Sequence, residues 1–169
     1  MVKKILLYIS IIFCVTIFSI PKMEMYYTFA HFLQNHAINI KNEKYQEGLF
    51  SLSLKDATIV YRNSDIGNID EIKVYNFLFY NKMICDNMLI RSSSNQKEII
   101  KIDKMDAVWS IFSPKKIHIY IDSNLGKAEG SLDISSMMLK IYFNNENGAS
   151  SIKEFLKKDN EGWYYESNF

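Results

Sequence analysis

The chain has few of the residues that punctuate or staple small folds: its 169 residues include 2 prolines, 6 glycines, 2 cysteines and 3 histidines. Cys14 lies in an apolar N-terminal run and Cys85 far along the body, so no intramolecular disulfide joins them and stability has to come from packing. With no CxxC pair and no histidine nearby, Cys85 reads as a small buried apolar residue. Charge of one sign is also lacking. The 20 basic and 19 acidic side chains give no general attraction to nucleic acid or to an acidic surface, so direct nucleic-acid binding is unsupported. There is no G-x-S-x-G elbow, no H-E-x-x-H pair, and no glycine-rich loop of the P-loop or dinucleotide type. The acids Asp65, Asp70, Glu71, Asp103 and Asp106 suit the solvent face of a β domain. His118 suits a partly exposed cross-strand position. The expectation is a non-enzymatic protein with no catalytic, cofactor-binding or metal-ligating residues.

What the chain does have is an unbroken apolar run over residues 5–20, preceded by Lys3 and Lys4 and closed by Pro21 and Lys22. Such a run is near the lower limit for a hydrocarbon core of roughly 30 Å, and Tyr8 and the flanking lysines extend its reach at the interfaces. A cleaved signal peptide would need small residues before its cut, but Ile17 stands two residues before Ser19 and Pro21 two after it. The sequence Ile11-Ile12-Phe13-Cys14 lacks the small residue that precedes a lipidated cysteine. An uncleaved single-pass anchor is therefore expected, with Lys3, Lys4, Tyr8 and Pro21 as its interfacial residues. The positive-inside rule places residues 1–4 in the cytoplasm and the remainder across the membrane. Abundant lysine, asparagine and isoleucine suggest an AT-rich bacterial genome.

Residues 23–33 put Tyr26, Phe29, Ala30 and Leu33 at helical spacing, and Tyr26, Tyr27, Phe29 and Phe32 suit a membrane interface or the base of a domain. His31 and His36 are five apart and not on one face as a metal pair would be. Residues 21–45 thus read as an amphipathic helix and linker, ending in the polar stretch 41–48. From residue 46 to 169 the period becomes two. In Phe50-Ser51-Leu52-Ser53-Leu54 apolar residues alternate with serine, followed by a bulge near Asp56 and Ala57 and a turn at 62–67. Further strands are expected at 69–76, 77–80, 83–91, 98–102, 107–112, 116–122, 127–134 and 137–143. In the clearest, Ile117, Ile119 and Ile121 face the core while His118, Tyr120 and Asp122 face water. With no helical crossover, the fold class is mainly β: an anchor and amphipathic stalk followed by one antiparallel sheet domain. A short C-terminal helix is expected at 152–158 from the capping box Ser151-Ile152-Lys153-Glu154. Trp163-Tyr164-Tyr165 would dock as a strand or plug, and would mark a partner site if exposed. Tyr26, Tyr27, Phe29, Trp163, Tyr164 and Tyr165 are the candidate interaction residues.

This order of parts resembles the inner-membrane protein N of general (type II) secretion systems. The likeness rests on the short start, the anchor ending in proline, the stalk with Tyr26-Tyr27, and amphipathic strands such as Leu125-Gly126-Lys127-Ala128-Glu129-Gly130-Ser131-Leu132-Asp133-Ile134. It implies an accessory or assembly protein of an envelope-spanning secretion, type IV pilus-like or DNA-uptake (competence) apparatus. It also implies the bacterial inner membrane, with the C-terminal domain periplasmic, and as partners the lipid bilayer and other inner-membrane or periplasmic proteins. The same strand style also looks like the lipid-handling β-groove proteins of the AsmA group, whose resemblance implies a lipid ligand. An open, continuous apolar groove would favour lipid; a closed core with a free sheet edge would favour protein partners.

Overall fold

A computed structural model describes residues 2–18, 22–35, 37–77, 79–91, 98–145 and 148–168. Helix α1 (Val2–Phe18) is followed by α2 (Lys22–Asn35) and then by strands only, apart from one 3-10 helix. Ile5, Leu6, Leu7, Ile9 and Ile12 of α1 are all exposed, so the helix is apolar all round with no single packed stripe. Its 17 residues reach about 25 Å at 1.5 Å per residue. Among the described residues no helix is long and apolar enough to cross a membrane. Pro21 and His36 lie outside the described residues. Helix α2 ends at Asn35, and beyond it Ala37 has a left-handed φ of 60° and its N–H donates to the Gln34 carbonyl at 2.9 Å.

The strands are β1 (Ile38–Lys41), β2 (Lys44–Glu47), β3 (Ser51–Tyr61), β4 (Ser64–Asn76), β5 (Tyr80–Arg91), β6 (Glu98–Ser110), β7 (Lys116–Ser123), β8 (Gly126–Asp133), β9 (Met138–Phe143), β10 (Lys157–Asp159) and β11 (Gly162–Asn168). They form one 11-stranded antiparallel sheet in the order β1-β3-β4-β5-β6-β7-β8-β9-β11-β10, with β2 beside β1 along β3. The antiparallel meander is thus observed, with longer strands and fewer breaks than the sequence suggests. The break expected between residues 102 and 107 is absent, since β6 runs through it. The turn expected at 62–67 is only Arg62 and Asn63, both at positive φ as a two-residue hairpin of type I′ requires. Strands β1 and β2 form within the segment read as helix and linker, because each finds a partner along β3. The C-terminal helix is a 3-10 helix at Gly148–Phe155, and Lys157 and Lys158 belong to β10.

A row of extra residues runs across the sheet. Core positions Leu54 and Ala57, Ile69 and Ile72, Cys85 and Met88, and Ile102 and Met105 each flank two consecutive polar residues: Lys55–Asp56, Asp70–Glu71, Asp86–Asn87 and Asp103–Lys104. A strand in strict alternation would send one of each pair inward. Because all four strands carry the insertion at the same level, their register is kept on both sides: Leu54 faces Ile72 and Ala57 faces Ile69. Asp56 and Asn87 absorb it at φ 58° and 51°, a region that Asp and Asn tolerate, and Asn42 between β1 and β2 does the same at 63°. The row ends at β7, where Ile102 and Lys104 pair with the adjacent Ser123 and Asp122 and leave Asp103 as a bulge.

Candidate functional site

Rows of cross-strand partners define the face of the sheet that meets α2. One row reads Leu54, Ile72, Cys85, Met105, Ile121, Ala128, Phe143, Trp163 from β3 to β11. The next reads Leu52, Val74, Met83, Ala107, Ile119, Gly130, Ile141, Tyr165. Alternation forces the intervening residues outward, and there the row Asp106, Tyr120, Glu129, Tyr142, Tyr164 is charged and tyrosine-rich. The two faces therefore differ in chemistry: aliphatic on the α2 side, polar on the other.

Helix α2 covers only one end of the aliphatic face. Met23, Tyr26 and Ala30 pack on a cluster that includes Leu52, Leu54, Ala57, Ile69, Ile72 and Cys85, and the helix contacts β1 and β3. There the core is closed: Leu52, Leu54 and Cys85 are 1% exposed, and burial pushes the Cys85 thiol up to about 12. Farther along, Ile117, Ile119, Ile121, Leu132, Leu139 and Ile141 are only half-buried. Two apolar cavities follow α2 along this face. One of about 310 Å³ is lined by Lys22, Tyr26, Leu52, Val74, Asn76, Met83 and Ile117. Another of about 170 Å³ lies between Leu33, Ile40, Ile69, Met83 and Met105, so Met83 borders both. Among the described residues the aliphatic face is thus an apolar trough, roofed by α2 at one end, half-buried along β7 to β9, and met at β11 by the 3-10 helix, whose Lys153 lies against Trp163.

A polar latch holds the roof. The hydroxyls of Tyr26 and Tyr45 both donate to Glu43 Oε1, at 3.0 and 2.7 Å, and their rings meet edge to face at 5.5 Å. Lys22 Nζ lies 3.5 Å from Glu47. Burial and the bond to Glu43 raise the Tyr26 hydroxyl well above the tyrosine range. For Glu43, burial acts upward, but the Tyr45 hydroxyl, its own backbone and the Tyr26 hydroxyl outweigh it and hold the carboxyl below its ordinary value. A carboxyl depressed in the folded state adds stability above its unfolded pKa and loses it as the pH falls through the folded one. Tyr26→Phe should therefore cost about 1–2 kcal/mol near neutral pH, where it deletes a hydrogen bond to a charged acceptor. In denaturation of the full chain in detergent, that difference should shrink below the glutamate range; a difference independent of pH would contradict the latch.

The candidate residues fall in separate places. Lys3, Lys4 and Tyr8 lie exposed on α1. Tyr26 is buried between α2 and the sheet and Tyr27 is 56% exposed, while the Phe29 side chain lies outside the described residues. Trp163, Tyr164 and Tyr165 alternate along β11, across the whole width of the sheet from Tyr26. They dock as a strand. Trp163 faces the trough, with Lys153 and Lys158 Nζ 4.8 and 5.3 Å from its ring. Tyr164 faces outward beside Tyr142, where Lys140 Nζ sits 4.2 Å from the Tyr164 ring and pairs with Asp159 at 3.2 Å. His118 and His31 are exposed. Among the described residues no three of His, Cys, Asp and Glu gather as a metal site. The trough residues Ile117, Ile119, Leu132 and Ile141 were legible only as core, because alternation marks an apolar face without telling what covers it. Comparison with protein-family models, with curated proteins and with solved structures finds no match for this chain.

Proposed function

We propose that this chain is a non-enzymatic lipid-binding protein of the bacterial inner membrane, which holds acyl chains against the apolar trough of its periplasmic sheet. The observation that carries this reading is the run of half-buried aliphatic residues from β7 to β9, continuous with the apolar cavities under α2. An acyl chain there would remove aliphatic surface from water at about 25 cal/mol per Å² without requiring any directional polar contact. Helix α1, with exposed apolar residues around its circumference, is the segment that attaches the protein to the bilayer.

In the test, the full chain is extracted in mild detergent and its bound lipid measured by mass spectrometry. Phospholipid should co-purify with the native chain and fall to background in Ile119→Asp, with an unchanged circular dichroism spectrum. Equal lipid in both proteins would overturn the reading. A second reading has one observation in its favour. Strand β10 covers β11 only as far as Tyr164, so residues 165–168 present a strand edge on which a partner strand could add. It makes the chain an accessory protein of a secretion, pilus-like or DNA-uptake apparatus. Stoichiometric envelope proteins in the same extract, without lipid, would select it.

A further inference from the structure

Antiparallel order sends alternate turns to opposite ends of the sheet. At one end lie the β2–β3, β4–β5, β6–β7 and β8–β9 turns. There Leu49, Phe77, Phe79, Ile111, Phe112 and Ile134 are all exposed, Phe112 at 94%. The turns are joined into one rim by backbone hydrogen bonds: Asn76 N–H to the Phe50 carbonyl at 3.2 Å, Ile111 N–H to Phe79 at 3.0 Å, and Ile134 N–H to Lys115 at 2.8 Å. The Phe50 and Phe77 rings stack at 5.7 Å across the first of these junctions. Apolar side chains in four successive turns at one end form a contiguous patch, unlike apolar residues scattered singly over a surface.

The opposite end is different. Its described turns carry Arg62 and Asn63, Asn124, and Asn144 and Asn145 in exposed positions, while Leu125 is buried. Where Tyr61 is exposed there, the Arg62 guanidinium lies 5.1 Å from its ring.

We infer that the apolar rim rests in the interface of a phospholipid bilayer, so that the sheet stands on the membrane at this end. Two further observations select a bilayer as the occupant. The first is where the apolar helix joins the sheet domain. Lys22, at the N-terminus of α2 and so nearest in sequence to α1, is held against Glu47 beside the β2–β3 turn, and the other end of α2 reaches the polar turns through the bond from Arg62 N–H to the Ala37 carbonyl. Helix α1 therefore connects to the domain on the rim side. The second is charge: Lys115 stands exposed in the turn that holds Phe112, a turn that contains no acid, which suits anionic headgroups above an inserted aromatic, while Lys116 at the start of β7 faces Asp133 across the strands. Lys22, Asn76 and Ile117 also line the larger apolar cavity, so the trough begins at the rim, where lipid is at hand. The inference takes from the proposed function only that α1 lies in the membrane; the test reads depth and not lipid cargo, so each can fail alone.

In the experiment, the full chain carries Cys14→Ser, leaving Cys85 shielded by burial. Nitroxides are placed at Leu49→Cys, Phe112→Cys or Ile134→Cys on the rim, and at Ser64→Cys or Asn144→Cys on the opposite end. The protein is reconstituted in nanodiscs of phosphatidylethanolamine and phosphatidylglycerol. Relaxation of each label by oxygen, which partitions into lipid, is compared with relaxation by an aqueous nickel chelate. The rim labels should favour oxygen several-fold more than the controls, with circular dichroism unchanged. Rim labels as open to the nickel chelate as the controls would overturn the inference. Labels shielded from both relaxants would overturn it too, because they would place the rim against protein.

Discussion

Leu54→Asp should leave no folded protein. Leu54 is 1% exposed in the cluster under α2, facing Ile72 and sharing that cluster with Tyr26 and Cys85, and the nearby Tyr26 and Tyr45 hydroxyls are already committed to Glu43. Burying that charge unpaired costs several kcal/mol, and the lost leucine packing adds about 2 more. Against a typical stability of about 5–15 kcal/mol, the loss is a large part of the whole. Circular dichroism of the full chain in detergent should show the β signal gone, or a midpoint displaced by more than half of its native value. The same substitution at Ile119 introduces the same charge on the same face, but at a half-buried position where water reaches the carboxylate. It should be tolerated by the fold. Equal destabilisation at both positions would mean that the trough is as closed as the core.

Gly130→Val should be nearly as damaging, against the ordinary preference of strands for β-branched residues. A Cβ at Gly130 would run into the carbonyl oxygen of Lys140 and come within 2.7 Å of the Ile141 Cα, both backbone atoms of the neighbouring strand. Strands β8 and β9 can then pair only by moving apart, a loss of about 3 kcal/mol. Ser131→Val, one residue on and facing outward beside His118 and Lys140, should change stability little. Thermal denaturation of the two variants side by side checks this, and similar midpoints would contradict the close approach.

The antiparallel meander was legible because period-two alternation is written plainly in stretches such as residues 116–122 and 127–133. The aligned insertions were half legible. Doublets such as Lys55–Asp56 and Asp103–Lys104 interrupt alternation, and read singly they suggest a bulge in one strand and a break in another. Only the pairing shows that four strands carry them at one level, so that the register survives and β6 stays whole. Strands β1 and β2 are four residues each and hold their conformation through β3, a long-range contact that local composition does not encode. The capping box at Ser151 signalled a helical turn, but Lys157 and Lys158 were claimed by pairing with β11, which local propensity cannot overrule. The trough and the rim depend on which faces and turns remain uncovered, and so become visible only when the meander is assembled.

The central claim is that acyl chains lie in the trough, and photo-cross-linking tests it most directly. Membranes containing the full chain are loaded with a phospholipid carrying a diazirine in its acyl chain, irradiated, and the adducts mapped by mass spectrometry. Adducts on the aliphatic positions Ile117, Ile119, Leu132 and Ile141, with none on the outward neighbours Tyr120, Glu129 and Tyr142, are the predicted result. Adducts confined to α1, or spread equally over both faces of the sheet, would contradict the account.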